Sequence, residues 1–130
     1  MAKIIIIDDD PDIADSLTMI LEGGGYQVSV KPNTDNLIGD ISQFNPDLII
    51  LDIIFPEDPQ AGFKAARVLH KNEKLKGVPV LFLSAVNQLS NMSFGFSESD
   101  ISEDFMPVHG FLEKPVEPNF LLKKVEELLR

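Results

Sequence analysis

The sequence predicts an α/β domain with a doubly wound, five-stranded parallel sheet. Three observations predict it. Short apolar runs at residues 3–7, 47–51 and 78–83 lack the polar alternation of a half-exposed strand, as strands buried on both faces do. Segments between them carry apolar residues at helical spacing. The order β-α-β-α-β-α-β-(α)-β-α then implies a parallel sheet covered by helices on both faces, and right-handed crossovers leave few topologies.

Each element follows from its residues. Ile4 to Ile7 is a continuous β-branched run, and Asp8, Asp9 and Asp10 end it. Asp10 before Pro11 is a helix start, with Asp as N-cap and Pro at the first helical position. Ile13, Leu17, Ile20 and Leu21 mark its apolar face, and Gly23-Gly24-Gly25 stops it. Tyr26, Val28 and Val30 alternate as a second strand over 26–30. Leu37, Ile38, Ile41 and Phe44 give a helix over 34–44, weakened by Gly39. Asn45-Pro46 turns the chain into the third strand, which runs into Asp52. A loop precedes a helix from Gly62 to about Lys74, with Phe63, Ala66 and Leu69 on one face. Gly77 breaks it before the fourth strand, which ends at Ser84. Residues 110–112 form a short fifth strand ending before Lys114-Pro115, and Pro118 opens a last helix carrying Leu121, Val125, Leu128 and Leu129. Residues 85–109, rich in Ser, Asn, Asp and Glu, fit an irregular stretch with a helical piece near 99–106.

Composition narrows the function. The 130 residues suit one domain, 1–130, and 44 % hydrophobic content suffices for one core. Cysteine is absent, which excludes disulfides, thiolate metal ligands and a cysteine nucleophile. Acidic residues outnumber basic ones by 21 to 11, and a net charge of −10 argues against direct nucleic-acid binding. Neither a signal peptide nor a membrane-spanning stretch is present in the sequence, so a cytoplasmic protein without membrane insertion is expected.

In open parallel sheets, ligands bind beyond the carboxyl ends of the strands. Here those ends carry Asp8-Asp9, Asp52, Ser84 and Lys114. Three ionised carboxylates about 4 Å apart repel by about 4 kcal/mol per pair at an effective dielectric near 20. They must protonate, separate or attract cations. A hard divalent ion with oxygen ligands is the natural solution, and Lys114 adds a further positive charge.

Four blocks carry a family resemblance: Ile6-Ile7-Asp8-Asp9-Asp10-Pro11, Pro46 through Ile53 around Asp52, Val78 through Ala85 around Ser84, and Gly110 through Pro115 around Lys114. In this order, at matching strand ends, they resemble the signature of response-regulator receiver domains. The resemblance implies the flavodoxin-like strand order 2-1-3-4-5. It implies Asp52 as phosphoacceptor. Asp9 would be the direct metal ligand, Asp8 its acidic neighbour, and Asp52 and the Ile54 carbonyl would complete a site for Mg²⁺ or Mn²⁺. Lys114 would pair with Asp52 and then with the phosphoryl oxygens. Ser84 would bond the phosphoryl group, and Phe111 would be the aromatic switch residue. The implied partners are a histidine kinase or histidine phosphotransfer protein and an unknown downstream output protein or domain.

Two departures from the family pattern stand out. The loop after Asp52 is about two residues longer than usual, and the Ser84-to-Lys114 stretch is longer by roughly eight. The latter predicts an atypical fourth-helix region. In the family, the positions two residues past the phosphoacceptor and the hydroxyl flank the path of hydrolytic water, so the resemblance implies slow phosphate loss with apolar Ile54 and Val86 there. His70 and His109 are given neither a phosphotransfer nor a metal role. Two alternatives remain: a receiver-fold interaction module independent of phosphorylation, and a small phosphatase using Asp52. The phosphatase lacks the usual second acid, because Ile54 stands at that position. Turnover of an external substrate is not expected.

Overall fold

The computed structural model describes residues 2–33, 35–52, 61–75, 77–85, 110–114 and 117–129. Its centre is a parallel sheet in which β1 (Lys3–Ile7) lies between β2 (Gln27–Lys31) and β3 (Leu48–Asp52). β4 (Val80–Ala85) and β5 (Gly110–Lys114) extend it, giving the order β2-β1-β3-β4-β5. Helices α1 (Pro11–Gly23), α2 (Leu37–Phe44), α3 (Ala61–Lys71) and α4 (Pro118–Leu129) are the helices among the described residues. The expected atypical region between Ser84 and Lys114 falls at residues 86–109, outside the described residues, as does the loop at 53–60.

The continuous apolar strands sort by parity into two cores. Ile5, Ile7, Ile49, Leu51, Val80 and Phe82 pack with Leu37 and Ile41 of α2 and Ala65, Ala66 and Leu69 of α3. Ile4, Ile6, Leu48, Ile50, Leu81 and Leu83 pack with Leu17 and Leu21 of α1 and Leu121 and Val125 of α4. The sheet is therefore covered on both faces, which is why the central strands lack alternation. Burying each such Leu or Ile contributes about 1.5–3 kcal/mol.

Local chemistry fixes the ends of the helices. The Asp10 carboxylate accepts from the Asp12 and Ile13 amides at 3.0 and 3.4 Å, and Pro11 takes the first helical position of α1. The Gly24 amide closes the other end on the carbonyls of Ile20 and Leu21, and Gly25 follows with φ +94°. At α4, the Glu117 carboxylate accepts from the Asn119 and Phe120 amides at 3.2 and 2.9 Å, just before Pro118. Both helices thus begin with an acid followed by proline.

Strand boundaries differ from the sequence reading by one or two residues. β2 runs to Lys31 rather than stopping at Val30, because pairing with Ile7 continues to that position. Val30 is 42 % exposed despite the apolar alternation, since β2 is an edge strand and is covered less than the central strands. Parallel pairing with β4, where Asp52 meets Leu83, keeps Asp52 inside β3 as its last residue.

A carboxylate cluster at the rim of the sheet

Register decides what meets at this rim. Ile7 pairs with both Lys31 and Leu51, and Asp52 pairs with Leu83. Asp8 and Asp52 are the next residues along two adjacent parallel strands. Their oxygens, with one from Asp9, all lie within 4.8 Å of one another. Asp8 and Asp52 are buried, at 2 % and 4 % exposure, while Asp9 is partly open to solvent.

The three consecutive aspartates have separate duties. Asp10 turns its carboxylate onto the first amides of α1. Asp8 accepts the Asp10 amide on Oδ1 at 2.9 Å, and its own amide donates to the Lys31 carbonyl at 3.1 Å. The Asp8 side chain is thereby aimed, and the α1 N-terminus directly after it favours negative charge there. Asp9 is left to complete the cluster with Asp52. The sequence reading separated the cap from the cluster in the same way.

Three acids this close repel by roughly 3.5 kcal/mol per pair at 4.8 Å and an effective dielectric near 20. The donor set is all oxygen and anionic. It suits a hard divalent cation, which takes carboxylates at 2.0–2.6 Å and needs no nitrogen or sulfur. The residues present therefore fit such an ion.

The same rim receives the ends of β4 and β5. Ser84 lies one residue past Leu83, the partner of Asp52, and pairs with Glu113. Lys114 pairs with Ala85, two residues beyond that level, a rise of roughly 7 Å. The backbone thus brings both expected positions to the carboxyl side of the strands. The side chains of Ser84, Phe111 and Lys114 lie outside what the structure describes, and Ile54 lies outside the described residues altogether.

Sequence reasoning missed one feature beside the cluster. Lys31 is 8 % exposed, and its Nζ donates to Asp40 Oδ2 at 2.8 Å. The Asp40 carboxyl also accepts from Asn36 at 3.0 Å and is held below its ordinary range, chiefly by the Lys31 hydrogen bond. A lysine ending an apolar alternation was the one available signal.

Residues 4–126 match the response regulator receiver domain. This chain belongs to that family. It is 30 % identical to PilH of Pseudomonas aeruginosa over 129 residues, covering 99 % of this chain and 98 % of that protein. It is 35 % identical over 132 residues to RpaA of Synechocystis sp., described as a DNA-binding dual master transcriptional regulator, covering 100 % of this chain and 50 % of that protein. The chain thus spans about half the length of RpaA and of the mycobacterial response regulators MtrA, and nearly all of PilH. Among solved structures, the Vibrio cholerae chemotaxis protein CheY4 superposes with a TM-score of 0.81 at 25 % identity, over 99 % of each chain. The activated receiver domain of Klebsiella pneumoniae RstA gives 0.77 at 24 % identity over 98 % of each, which supports the fold alone.

Membership in this receiver family implies a phosphoacceptor role in two-component signalling. Receivers are signalling switches that typically work with histidine kinases and output domains. Among the described residues, no helix is long and apolar enough to cross a membrane.

Proposed function

We propose that this chain is a receiver, spanning residues 1–130, that takes a phosphoryl group on Asp52 and holds Mg²⁺ or Mn²⁺ beside it. The observation that carries the reading is the convergence of Asp8, Asp9 and Asp52 within 4.8 Å, two of them buried, at the rim where β4 and β5 deliver Ser84 and Lys114. The donor is a phosphohistidine on a kinase or phosphotransfer protein. An Asp52 oxygen attacks phosphorus in line. The P–N bond breaks, the electron pair leaves with the imidazole, and an acyl phosphate forms on Asp52.

Asp8, Asp9, Asp52 and the Ile54 carbonyl would hold the divalent ion, which supplies charge neutralisation for the phosphoryl oxygens. Asp8 is oriented for this by the Asp10 amide. Lys114 neutralises Asp52 before transfer and the phosphoryl oxygens after it. Ser84 donates its hydroxyl to the phosphoryl group. The added charge and acceptors draw Ser84 and Lys114 inward, and Phe111 on β5 follows, so the outer surface near β4 and β5 changes for a downstream partner.

The chain is a switch rather than an enzyme with an external substrate, and it works in the cytoplasm without membrane insertion or direct nucleic-acid contact. The net charge of −10 supports the last point. Incubation with Mg²⁺ and a small acyl-phosphate donor, followed by intact mass, tests the function. One phosphoryl group is expected on the native chain and none on Asp52→Asn. Failure of the native chain to label would favour the interaction module that does not depend on phosphorylation.

A further inference from the structure

We infer that the Lys31–Asp40–Asn36 chain is a positioning device for the metal-binding end of β1, a role that rests on reading Asp8 as part of the metal site. Lys31 is the last residue of β2 and sits two ways at once. Its side chain crosses to α2, where Nζ donates to Asp40 Oδ2 at 2.8 Å. Its carbonyl accepts the Asp8 amide at 3.1 Å, the rung beyond the last paired residues of β1 and β2. One residue therefore links α2 to the backbone of a cluster carboxylate.

The position of β2 makes that link matter. β2 is an edge strand, with β1 as its one neighbour in the sheet. A strand end held from one side frays more readily than a central one. Pinning the Lys31 side chain to α2 supplies the missing second hold. The Asp8 carboxylate, fixed at one end by the Asp10 amide, is then fixed at its backbone as well.

Three locally unfavourable choices converge on this contact. A lysine is buried, which is tolerated when it is paired. Asn36 is left-handed, with φ 48°, and its amide donates to Asp40 Oδ1 at 3.0 Å. Gly39 sits inside an eight-residue helix, where glycine weakens the helix. A Cβ on Gly39 would lie 2.7 Å from Asn36 Oδ1 and 3.1 Å from its Nδ2, so the glycine makes the room that Asn36 occupies. Helix propensity alone would favour alanine at Gly39. The arrangement instead serves the polar chain from Asn36 through Asp40 to Lys31.

The test uses the full chain and Mn²⁺ alone as probe, with affinity read by calorimetry and folding by thermal melts. Lys31→Met and Asp40→Asn are expected to weaken Mn²⁺ binding about threefold to tenfold, less than the loss for a direct partner of a ligand. Gly39→Ala, which displaces Asn36 and leaves the ion pair, is expected to give a smaller loss. Lys31→Arg, which keeps the cation, is expected to recover most of the affinity. Leu128→Ala, on α4 and away from the rim, serves as a destabilised control that keeps native affinity. Native affinity in Lys31→Met and Asp40→Asn, or an equal loss in Leu128→Ala, would overturn the positioning role alone. A native chain that binds no Mn²⁺ would overturn both this role and the receiver reading beneath it.

Discussion

Replacing Asp52 by asparagine is expected to stabilise the metal-free protein while abolishing its function. The oxygens of Asp8, Asp9 and Asp52 lie within 4.8 Å of one another. At an effective dielectric near 20, each pair repels by roughly 3.5 kcal/mol, and Asp52 takes part in two pairs. Salt screening and the partial exposure of Asp9 reduce that relief. Loss of charge from the contacts Asp52 makes reduces it further. The net gain is a fraction of the two-pair sum, and its sign is stabilising. For 130 residues the melting entropy is about 0.27 kcal/mol/K, so each kcal/mol of net gain should raise the midpoint by about 4 °C in chelator. Mg²⁺ at about ten times its dissociation constant should add about 1.4 kcal/mol to the native chain and much less to Asp52→Asn. Paired thermal melts with chelator and with Mg²⁺ measure both effects. A variant less stable than the native chain in chelator, or one that gains as much from Mg²⁺, would refute the electrostatic reasoning.

Other expectations follow from single contacts. Asp10→Ala removes the acceptor of the Asp12 and Ile13 amides and should cost about 1 kcal/mol in urea unfolding, with the slope unchanged. Phe82→Ala empties a fully buried site between α2, α3 and the sheet and should cost about 3–5 kcal/mol by the same measurement. The Asp40 carboxyl is lowered from 3.8, first by the Lys31 hydrogen bond, so its contribution is complete above that value and is lost as pH falls through the lower folded value. The melting difference between the native chain and Asp40→Asn should therefore shrink only at acidic pH, below about 4.

How much was legible depended on whether the signal was local. Ile4 to Ile7 and Leu48 to Leu51 announced buried parallel strands because each residue has a core partner on one face or the other. The Asp10-Pro11 pair announced the start of α1, which in turn freed Asp8 and Asp9 for the cluster. The ion pair of Lys31 was not legible, because Asp40 lies nine residues away across a turn and no spacing rule joins them. The exposure of Val30 was missed for a related reason. Apolar alternation shows which side chains share a face, whereas coverage of that face depends on where the strand stands in the sheet. Gly39 read as a flaw in a helix, and its purpose emerges only with the Asn36 amide lying across it.

The most direct measurement is to locate the transferred group. The chain would be labelled by a small phosphodonor with Mg²⁺, reduced with borohydride to convert an aspartyl phosphate into homoserine, and sequenced by tandem mass spectrometry. Homoserine at position 52, absent when the divalent ion is chelated, is the predicted result. Modification at another carboxylate, or labelling indifferent to the ion, would contradict the role assigned to the acidic rim.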